Sequence, residues 1–144
     1  MADYVVDASA VMQYFIADTY TVEAGILLAG MESGDRLNIP EFCLLECVNV
    51  FWKNVRFRGL PATDAADFVV ELLDLPFQIF PVNNLLPRAL QIGLTSELAI
   101  YDSLYIALAL SLGCPLITVD EKQLNVAVVS GVTIKPISDF SPES

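Results

Sequence analysis

The chain of 144 residues contains no histidine. This absence excludes Ser-His-Asp and Cys-His catalytic machinery, in which an imidazole takes the proton of the nucleophile. Cations are also scarce, with 7 Lys and Arg against 18 Asp and Glu and a net charge of −11. Because an acidic surface repels phosphates, this charge counts against a protein that coats nucleic acid in general. It leaves open a metal-dependent site, which needs clustered acids.

Cysteines are few, and their number is odd: Cys43, Cys47 and Cys114. No disulfide framework is implied for such a chain. The first two lie four residues apart, a helical spacing that could suit a metal ion. Without histidine or a second cysteine pair, however, a zinc site is disfavoured, and buried free thiols are predicted.

A membrane-spanning segment is not predicted either. The uncharged run from Ser103 to Val119 is broken in its middle by the sequence LGCP, so neither part reaches the roughly 20 residues of a spanning helix. The N-terminus has neither the basic segment nor the cleavage signal of a secretory peptide. We therefore expect a cytoplasmic protein without a membrane partner.

The composition instead favours a folded domain with a large core. Hydrophobic residues make up 55% of the chain. The length suggests a single domain over residues 1–140 with a frayed tail at 141–144. The hydrophobic surplus predicts a buried sheet, an oligomer interface, or both.

Short apolar segments alternate with helical patterns along the chain. Five segments are predicted as strands: 4–6, 36–40, 77–82, 115–120 and 131–137. Six are predicted as helices: 9–15, 19–34, 41–58, 64–75, 84–93 and 99–113, with a loop at 94–96 between the last two. Nearly all-apolar strands between helices predict an α/β fold, with three α/β/α layers in a Rossmann-like arrangement around a mostly parallel sheet of four to five strands.

The longest predicted helix, 41–58, carries two stripes. One is apolar and is expected to face the core: Leu44, Val48, Phe51 and Val55. The other is polar: Glu46, Asn49, Lys53 and Arg56. Gly59 and Pro61 end the helix.

Four acids from different segments could share one site. Asp7 and Asp120 each end a predicted strand, and α/β folds bind ligands where the carboxyl ends of neighbouring parallel strands meet. Either residue could instead form a turn or cap the next helix. Asp102 stands near the start of the helix 99–113, where the helix dipole alone favours a carboxylate. Glu46 could equally be a solvated helix residue.

If these acids converge, their charges repel unless a cation lies between them. Oxygen ligands without histidine or thiolate point to Mg²⁺ or Mn²⁺, which leave coordination positions for phosphate oxygens. Ser9 and Thr118 each lie two residues from a strand-end acid, and their hydroxyls could orient a carboxylate or a metal-bound water. Each could also make a local bond to the backbone.

Four motifs follow one another along the chain: VVDASA, the glutamate of PEFCLLECVNVFWK, YDSLYIALA and CPLITVDEK. In this order they resemble the PIN-domain ribonucleases, and most of all the VapC-type toxins of toxin–antitoxin pairs. The similarity runs from Tyr4 to Ile137. It implies a PIN-like fold and Mg²⁺- or Mn²⁺-dependent endonucleolytic cleavage of RNA at an acidic pocket. It also implies a homodimer and an antitoxin partner whose tail blocks the pocket.

The resemblance also assigns residues to the site. By motif, the catalytic and metal-binding acids would be Asp7, Glu46, Asp102 and Asp120, supported by the hydroxyls of Ser9 and Thr118. The chain departs from many of these toxins in its charge. The net charge is −11, and it is still −7 when the four site acids are left out of the count.

Substrate contacts must therefore come from few cations. The one basic cluster, Lys53, Arg56 and Arg58, is predicted to contact RNA phosphates, although solvated surface charges would show the same pattern. Glu97 and Glu121 lie near the motif acids in sequence and are further candidate ligands.

Other classes of function fit the pattern less completely. A non-catalytic binding module on the same fold is the alternative to a ribonuclease, and the low number of cations motivates it. A phospho-accepting receiver domain would need an acid pair after the first strand, and this chain has none there. A phosphohydrolase of the haloacid dehalogenase type would need the pattern Asp-x-Asp, where this chain has Ser9.

Overall fold

Strands and helices alternate through residues 1–142, the part of the chain that the computed structural model describes; Glu143 and Ser144 of the predicted tail lie outside it. The strands are β1 (Asp3–Val6), β2 (Arg36–Pro40), β3 (Gln78–Phe80) and β4 (Leu116–Ile117). The α-helices are α1 (Ala8–Phe15), α2 (Thr21–Ala29), α3 (Phe42–Arg58), α4 (Ala62–Asp74), α5 (Leu86–Ser96), α6 (Ile100–Leu112) and α7 (Glu121–Val129). Short 3-10 helices occupy Gly30–Ser33, Asn83–Leu85 and Ile137–Phe140.

All four strands are parallel, and their order across the sheet is β3-β2-β1-β4. The chain moves outward from β1 to β2 to β3 and then returns across the sheet to β4. Because crossovers between parallel strands are right-handed, this reversal places α1–α4 on one face and α5 and α6 on the other. The predicted three-layer α/β/α fold is therefore confirmed, and the strand order reverses at β1 and β4.

The strands are apolar because helices cover both faces of the sheet. Six of their residues have no exposed surface at all: Val5, Val6, Leu37, Ile39, Leu116 and Ile117. On one face, α6 packs on β1 and β2, and its residues from Ser103 to Ala109 are all buried. The core thus fixes the position of α6, whose first turn carries Asp102.

The start of α6 is also fixed by its close packing against Gly93 of α5. A Cβ atom at Gly93 of α5 would lie 2.8 Å from the backbone carbonyl oxygen of Leu98 and 3.0 Å from the side chain of Ile100. Only glycine leaves room for this contact without a shift. It therefore sets how α5 and α6 meet.

Length and hydropathy together decide whether a helix within residues 1–142 could cross a membrane. No single helix is long and apolar enough to cross a membrane. The stretches Asn83–Ser96 and Ile100–Leu112 meet the criteria only when taken together, and the chain bends by 118° between them.

In three segments the structure differs from the sequence-based prediction. The strand expected at 131–137 is reduced to one parallel bridge between Leu116 and Ile134, because Gly131 adopts a left-handed φ of 91° and Pro136 has no N–H to donate. The expected loop at 94–96 is the last turn of α5, which ends where Glu97 adopts a left-handed φ of 53°. Helix α7 fills a segment to which no element was assigned.

The buried face of α3 is also rotated from the predicted one. Cys43, Cys47 and Phe51 are buried, whereas Val48 of the predicted apolar stripe is 36% exposed. The small thiols let α3 pack closely against its neighbours, including α1. Both cysteines, like Cys114, are buried free thiols as predicted.

Candidate active site

The four predicted acids lie around one cavity at the carboxyl edge of the sheet. Strands β1 and β4 are neighbours, and beyond their last paired residues the chain continues to Asp7 and Asp120. Glu46 comes to the same edge from α3 and Asp102 from α6. The cavity has a volume of about 240 Å³, and its lining residues are Asp7, Ala8, Ser9, Met12, Glu46, Val50, Asp102, Tyr105 and Asp120.

Asp7 is the buried member of the four, with only 4% of its surface exposed. Its Oδ1 accepts hydrogen bonds from the backbone N–H of Ala10 at 3.0 Å and from the Ser9 hydroxyl at 2.6 Å. Its Oδ2 accepts a bond from the hydroxyl of Thr118. Burial raises the pKa of Asp7 to about 6, although the three hydrogen bonds act in the opposite direction.

Ser9 and Thr118 connect the two strand ends as well as holding Asp7. Their hydroxyl oxygens are 3.3 Å apart. The backbone N–H of Val119 donates to Ser9 Oγ at 3.1 Å, and that of Asp120 donates to Thr118 Oγ1 at 3.0 Å. These bonds fix the start of α1 against the segment after β4.

Asp120 caps the helix that follows it, and so does Asp7. Asp120 Oδ1 accepts a bond from the backbone N–H of Gln123 at 2.9 Å at the start of α7, and Asp7 accepts from Ala10 at the start of α1. The capping role that sequence reasoning offered as an alternative is therefore present together with the placement at the cavity. Asp120 is the exposed acid of the four.

Glu46 is held by a tyrosine to which sequence analysis gave no role. Tyr105 is 1% exposed, and its hydroxyl donates to Glu46 Oε1 at 2.6 Å. The phenol ring packs edge-on against Phe42, with ring centroids 5.3 Å apart. Burial raises the pKa of Glu46, the Tyr105 bond opposes this, and the charge of Asp102 adds to it. Tyr105 lies three residues after Asp102, and residues three apart share a helix face, so this spacing could have placed its side chain near the site.

Asp102 is half-buried at the mouth of the cavity. Burial and the charge of Asp120 raise its pKa, and the nearby cation Lys122 lowers it. Lys122 was not among the predicted site residues, although it lies two residues beyond Asp120. Its ammonium is thus a positive charge beside the acids.

The donor set of the cavity fits a hard divalent cation. Within residues 1–142, no three Asp, Glu, Cys or His side chains are placed closely enough to hold a metal ion by themselves. Mg²⁺ is usually bound by one or two carboxylates with water completing its shell, so the carboxylates of this cavity would hold it together with water. The raised pKa values of Asp7, Glu46 and Asp102 show that negative charge is costly here, and a cation would offset that cost.

Of the predicted RNA contacts and the two further candidate ligands, only some lie near the acidic cavity. Lys53 and Arg58 line a second cavity, of about 260 Å³, between α1 and α3. Arg56 lines neither cavity, and its guanidinium carbon lies 5.6 Å from the ring centroid of Phe57. Glu97 and Glu121 are exposed and also line neither cavity.

Comparison with known proteins places the chain in a family. Residues 4–129 match the PIN domain. Ribonuclease VapC12 from Mycobacterium tuberculosis is 31% identical over 116 residues, which cover 81% of this chain and 85% of that protein. Among solved structures, PAE2754 from Pyrobaculum aerophilum has a TM-score of 0.75 at 22% identity, covering 96% of this chain and 86% of that one.

VapBC toxin–antitoxin proteins are also among the structural neighbours. VapBC2 from Rickettsia felis, solved bound to a DNA fragment from their promoter, has a TM-score of 0.68 at 9% identity and covers 93% of this chain and 98% of that one. These findings confirm the resemblance to VapC-type PIN-domain ribonucleases that the four motifs predicted. The chain belongs to the PIN domain family.

Proposed function

We propose that this protein is a Mg²⁺- or Mn²⁺-dependent endoribonuclease and the toxin of a toxin–antitoxin pair. The observation that carries the proposal is the convergence of the four acids on one cavity, at the sheet edge where the strand order reverses. The ribonuclease relative supports RNA as the substrate. The VapBC neighbours support an antitoxin as the partner.

In this proposal, Asp7, Glu46, Asp102 and Asp120 hold the cation directly or through water. The bound cation would polarise the phosphodiester and offset the negative charge that develops on it. Ser9 and Thr118 keep the carboxylate of Asp7 in one orientation.

The proton released by the attacking water also needs an acceptor. With no histidine in the chain, carboxylates are the groups lining this cavity that can accept a proton at neutral pH. The proton therefore passes to one of them or to solvent.

Cleavage of a labelled RNA under single-turnover conditions with Mn²⁺ tests the proposal. Asp7→Asn and Asp102→Asn should each abolish cleavage while the circular dichroism spectrum stays that of the wild type. Glu97→Gln is the matched control, because it makes the same carboxylate-to-amide change at an exposed residue outside the cavity. Undiminished cleavage by purified Asp7→Asn would show that the site is wrongly assigned.

A non-catalytic binding module is the second candidate, and the scarcity of cations around the acidic cavity favours it. Calorimetric titration with Mn²⁺ separates the two. The enzyme requires binding to the wild type that is weakened in Asp120→Asn. Absence of binding to the wild type favours the module.

We also propose that the protein acts as a homodimer in the cytoplasm. Leu86, Leu90 and Leu94 of α5 are four residues apart and are 46%, 52% and 73% exposed, so they form an apolar stripe that a second copy can cover. Light scattering at micromolar concentration should give the mass of two chains. A monomer would contradict the dimer and leave the ribonuclease proposal intact.

A further inference from the structure

A basic cavity adjoins the acidic one. Lys53, Asn54 and Arg58 of α3 line it, opposite residues of α1. Met12 of α1 and Val50 of α3 line both cavities, so the two meet at these apolar side chains. The two cavities therefore lie next to each other along the junction of α1 and α3.

We propose that the basic cavity binds the RNA phosphate that neighbours the scissile one, so that a single strand runs along the junction of α1 and α3. The proposal rests on the ribonuclease function proposed above and adds the second subsite of its substrate. Two consecutive phosphates cannot both be neutralised by one cation among the acids. The neighbouring phosphate needs a positive group of its own, and the adjoining cavity offers two.

The charges of this cavity are available to a ligand. Arg36 and Lys135 are engaged in ion pairs within the protein, whereas Lys53 and Arg58 are exposed and make no ion pair within residues 1–142. An ammonium and a guanidinium are the side-chain groups that bind phosphate most strongly, and Arg does so through two parallel hydrogen bonds. In a chain with only 7 cations, Lys53 and Arg58 are the two that line the cavity adjoining the acidic one.

One carboxylate also lines the basic cavity, and its oxygens already accept hydrogen bonds. Asp18 Oδ1 accepts a bond from the backbone N–H of Thr19 at 2.7 Å, and Asp18 Oδ2 accepts one from Gln13 Nε2 at 3.2 Å. These donors offset part of its charge. Two cations therefore face one carboxylate whose hydrogen bonds hold it to the turn between α1 and α2.

Arg56 supplies the matched control. It belongs to the same basic cluster of α3 but lies outside both cavities, against the ring of Phe57. Arg56→Gln and Arg58→Gln thus remove the same charge from the same end of one helix. Only the second removes it from the proposed subsite.

The experiment compares two substrates in Mn²⁺: a dinucleoside monophosphate, which has only the scissile phosphate, and a short mixed-sequence RNA. Lys53→Gln and Arg58→Gln should each lower kcat/KM for the RNA about tenfold, the loss of one charge-assisted contact. Neither should change cleavage of the dinucleoside monophosphate. For RNA, the slope of log affinity against log salt should fall by about 0.7 for each contact removed. Arg56→Gln should change kcat/KM less than about twofold, a surface-charge effect.

Each other result has a distinct meaning. Equal losses in Arg56→Gln and Arg58→Gln, with the wild type active, would replace the subsite by diffuse electrostatic attraction and leave the ribonuclease proposal standing. Equal losses on both substrates would show that Lys53 and Arg58 act on the scissile phosphate itself. A wild type that cleaves neither substrate overturns the proposed function, and the subsite with it. Melting temperatures of the variants check that these exposed substitutions leave the fold intact.

Discussion

Replacing Asp7 with asparagine tests the electrostatics of the candidate site without depending on catalysis. Asparagine keeps the shape of the side chain and removes its charge. Its amide oxygen can accept the bonds from Ala10 and Ser9, and its amide nitrogen can donate to the hydroxyl oxygen of Thr118. The variant therefore isolates the cost of the buried charge.

The size of that cost follows from the pKa of Asp7, which burial raises from 3.8 to about 6. Because the folded state holds this proton more tightly than the unfolded state, the stabilisation is full below 3.8 and is lost as the pH rises through about 6. The whole loss is about 3 kcal/mol at ~1.4 kcal/mol per pKa unit. About 1.4 kcal/mol of it falls between about pH 5 and about pH 8.

The assay is denaturant unfolding in EDTA, followed by circular dichroism at several pH values from about 5 to about 8. The free energy of unfolding of Asp7→Asn minus that of the wild type should rise by about 1.4 kcal/mol across this range. Other titrating acids contribute to both proteins and cancel in the difference. Mn²⁺ at the upper pH should stabilise the wild type more than the variant, because the bound cation offsets the charge of Asp7. Parallel pH curves in EDTA would refute the reasoning.

Three further substitutions give separate expectations. Tyr105→Phe removes the hydroxyl that donates to Glu46, and it should lower the maximal rate of RNA cleavage about tenfold with KM unchanged. Thr118→Val removes a bond that lowers the pKa of Asp7, so the acid limb of the pH–rate profile should move to higher pH. Gly93→Ala should reduce the free energy of unfolding by roughly 1–3 kcal/mol, because its Cβ would meet a backbone carbonyl oxygen at 2.8 Å.

Conservative variants control two of these experiments. Thr118→Ser keeps a hydroxyl near Asp7 and should leave the pH–rate profile unchanged; a shift equal to that of the valine variant would assign the effect to packing. Gly25→Ala lies inside α2, where an added Cβ would be 3.9 Å from the Tyr14 ring, an ordinary contact. It should be neutral or stabilising by up to about 1 kcal/mol, as helix propensity predicts. Equal destabilisation of both glycine variants would rule out the contact at Gly93 as the cause.

The sheet could be predicted because burial on both faces leaves a direct trace in the sequence. Segments such as VV before Asp7 and LIT before Val119 are almost purely apolar, and that is typical of parallel strands between helices. The acids that follow them stood out against those runs. The strand order was not accessible in the same way, because pairing of β1 with β4 joins segments more than 100 residues apart.

The predictions that were wrong concern segments in which hydrophobic or β-branched residues suggested one structure and neighbouring residues favoured another. In α3, leucine and valine suggested the buried face, but the closest packing falls on Cys43 and Cys47, whose small thiols permit it. At 131–137 the β-branched residues suggested a strand, but Gly131 and Pro136 leave backbone geometry for a single bridge. A spacing of three residues places Tyr105 on the helix face of Asp102, but the partner of its hydroxyl, Glu46, lies on another helix and leaves no mark in the local sequence.

Three of the four acids stand at helix starts, and this explains how the site holds them. Asp7 caps α1, Asp120 caps α7, and Asp102 lies in the first turn of α6. The positive ends of three helices thus point toward one edge of the sheet and offset part of the repulsion between the carboxylates. The capping bonds that sequence reasoning set against a functional role are the bonds that orient two of these acids. Glu46 lies within α3, away from a helix start, and its orientation depends on the hydroxyl of Tyr105 instead.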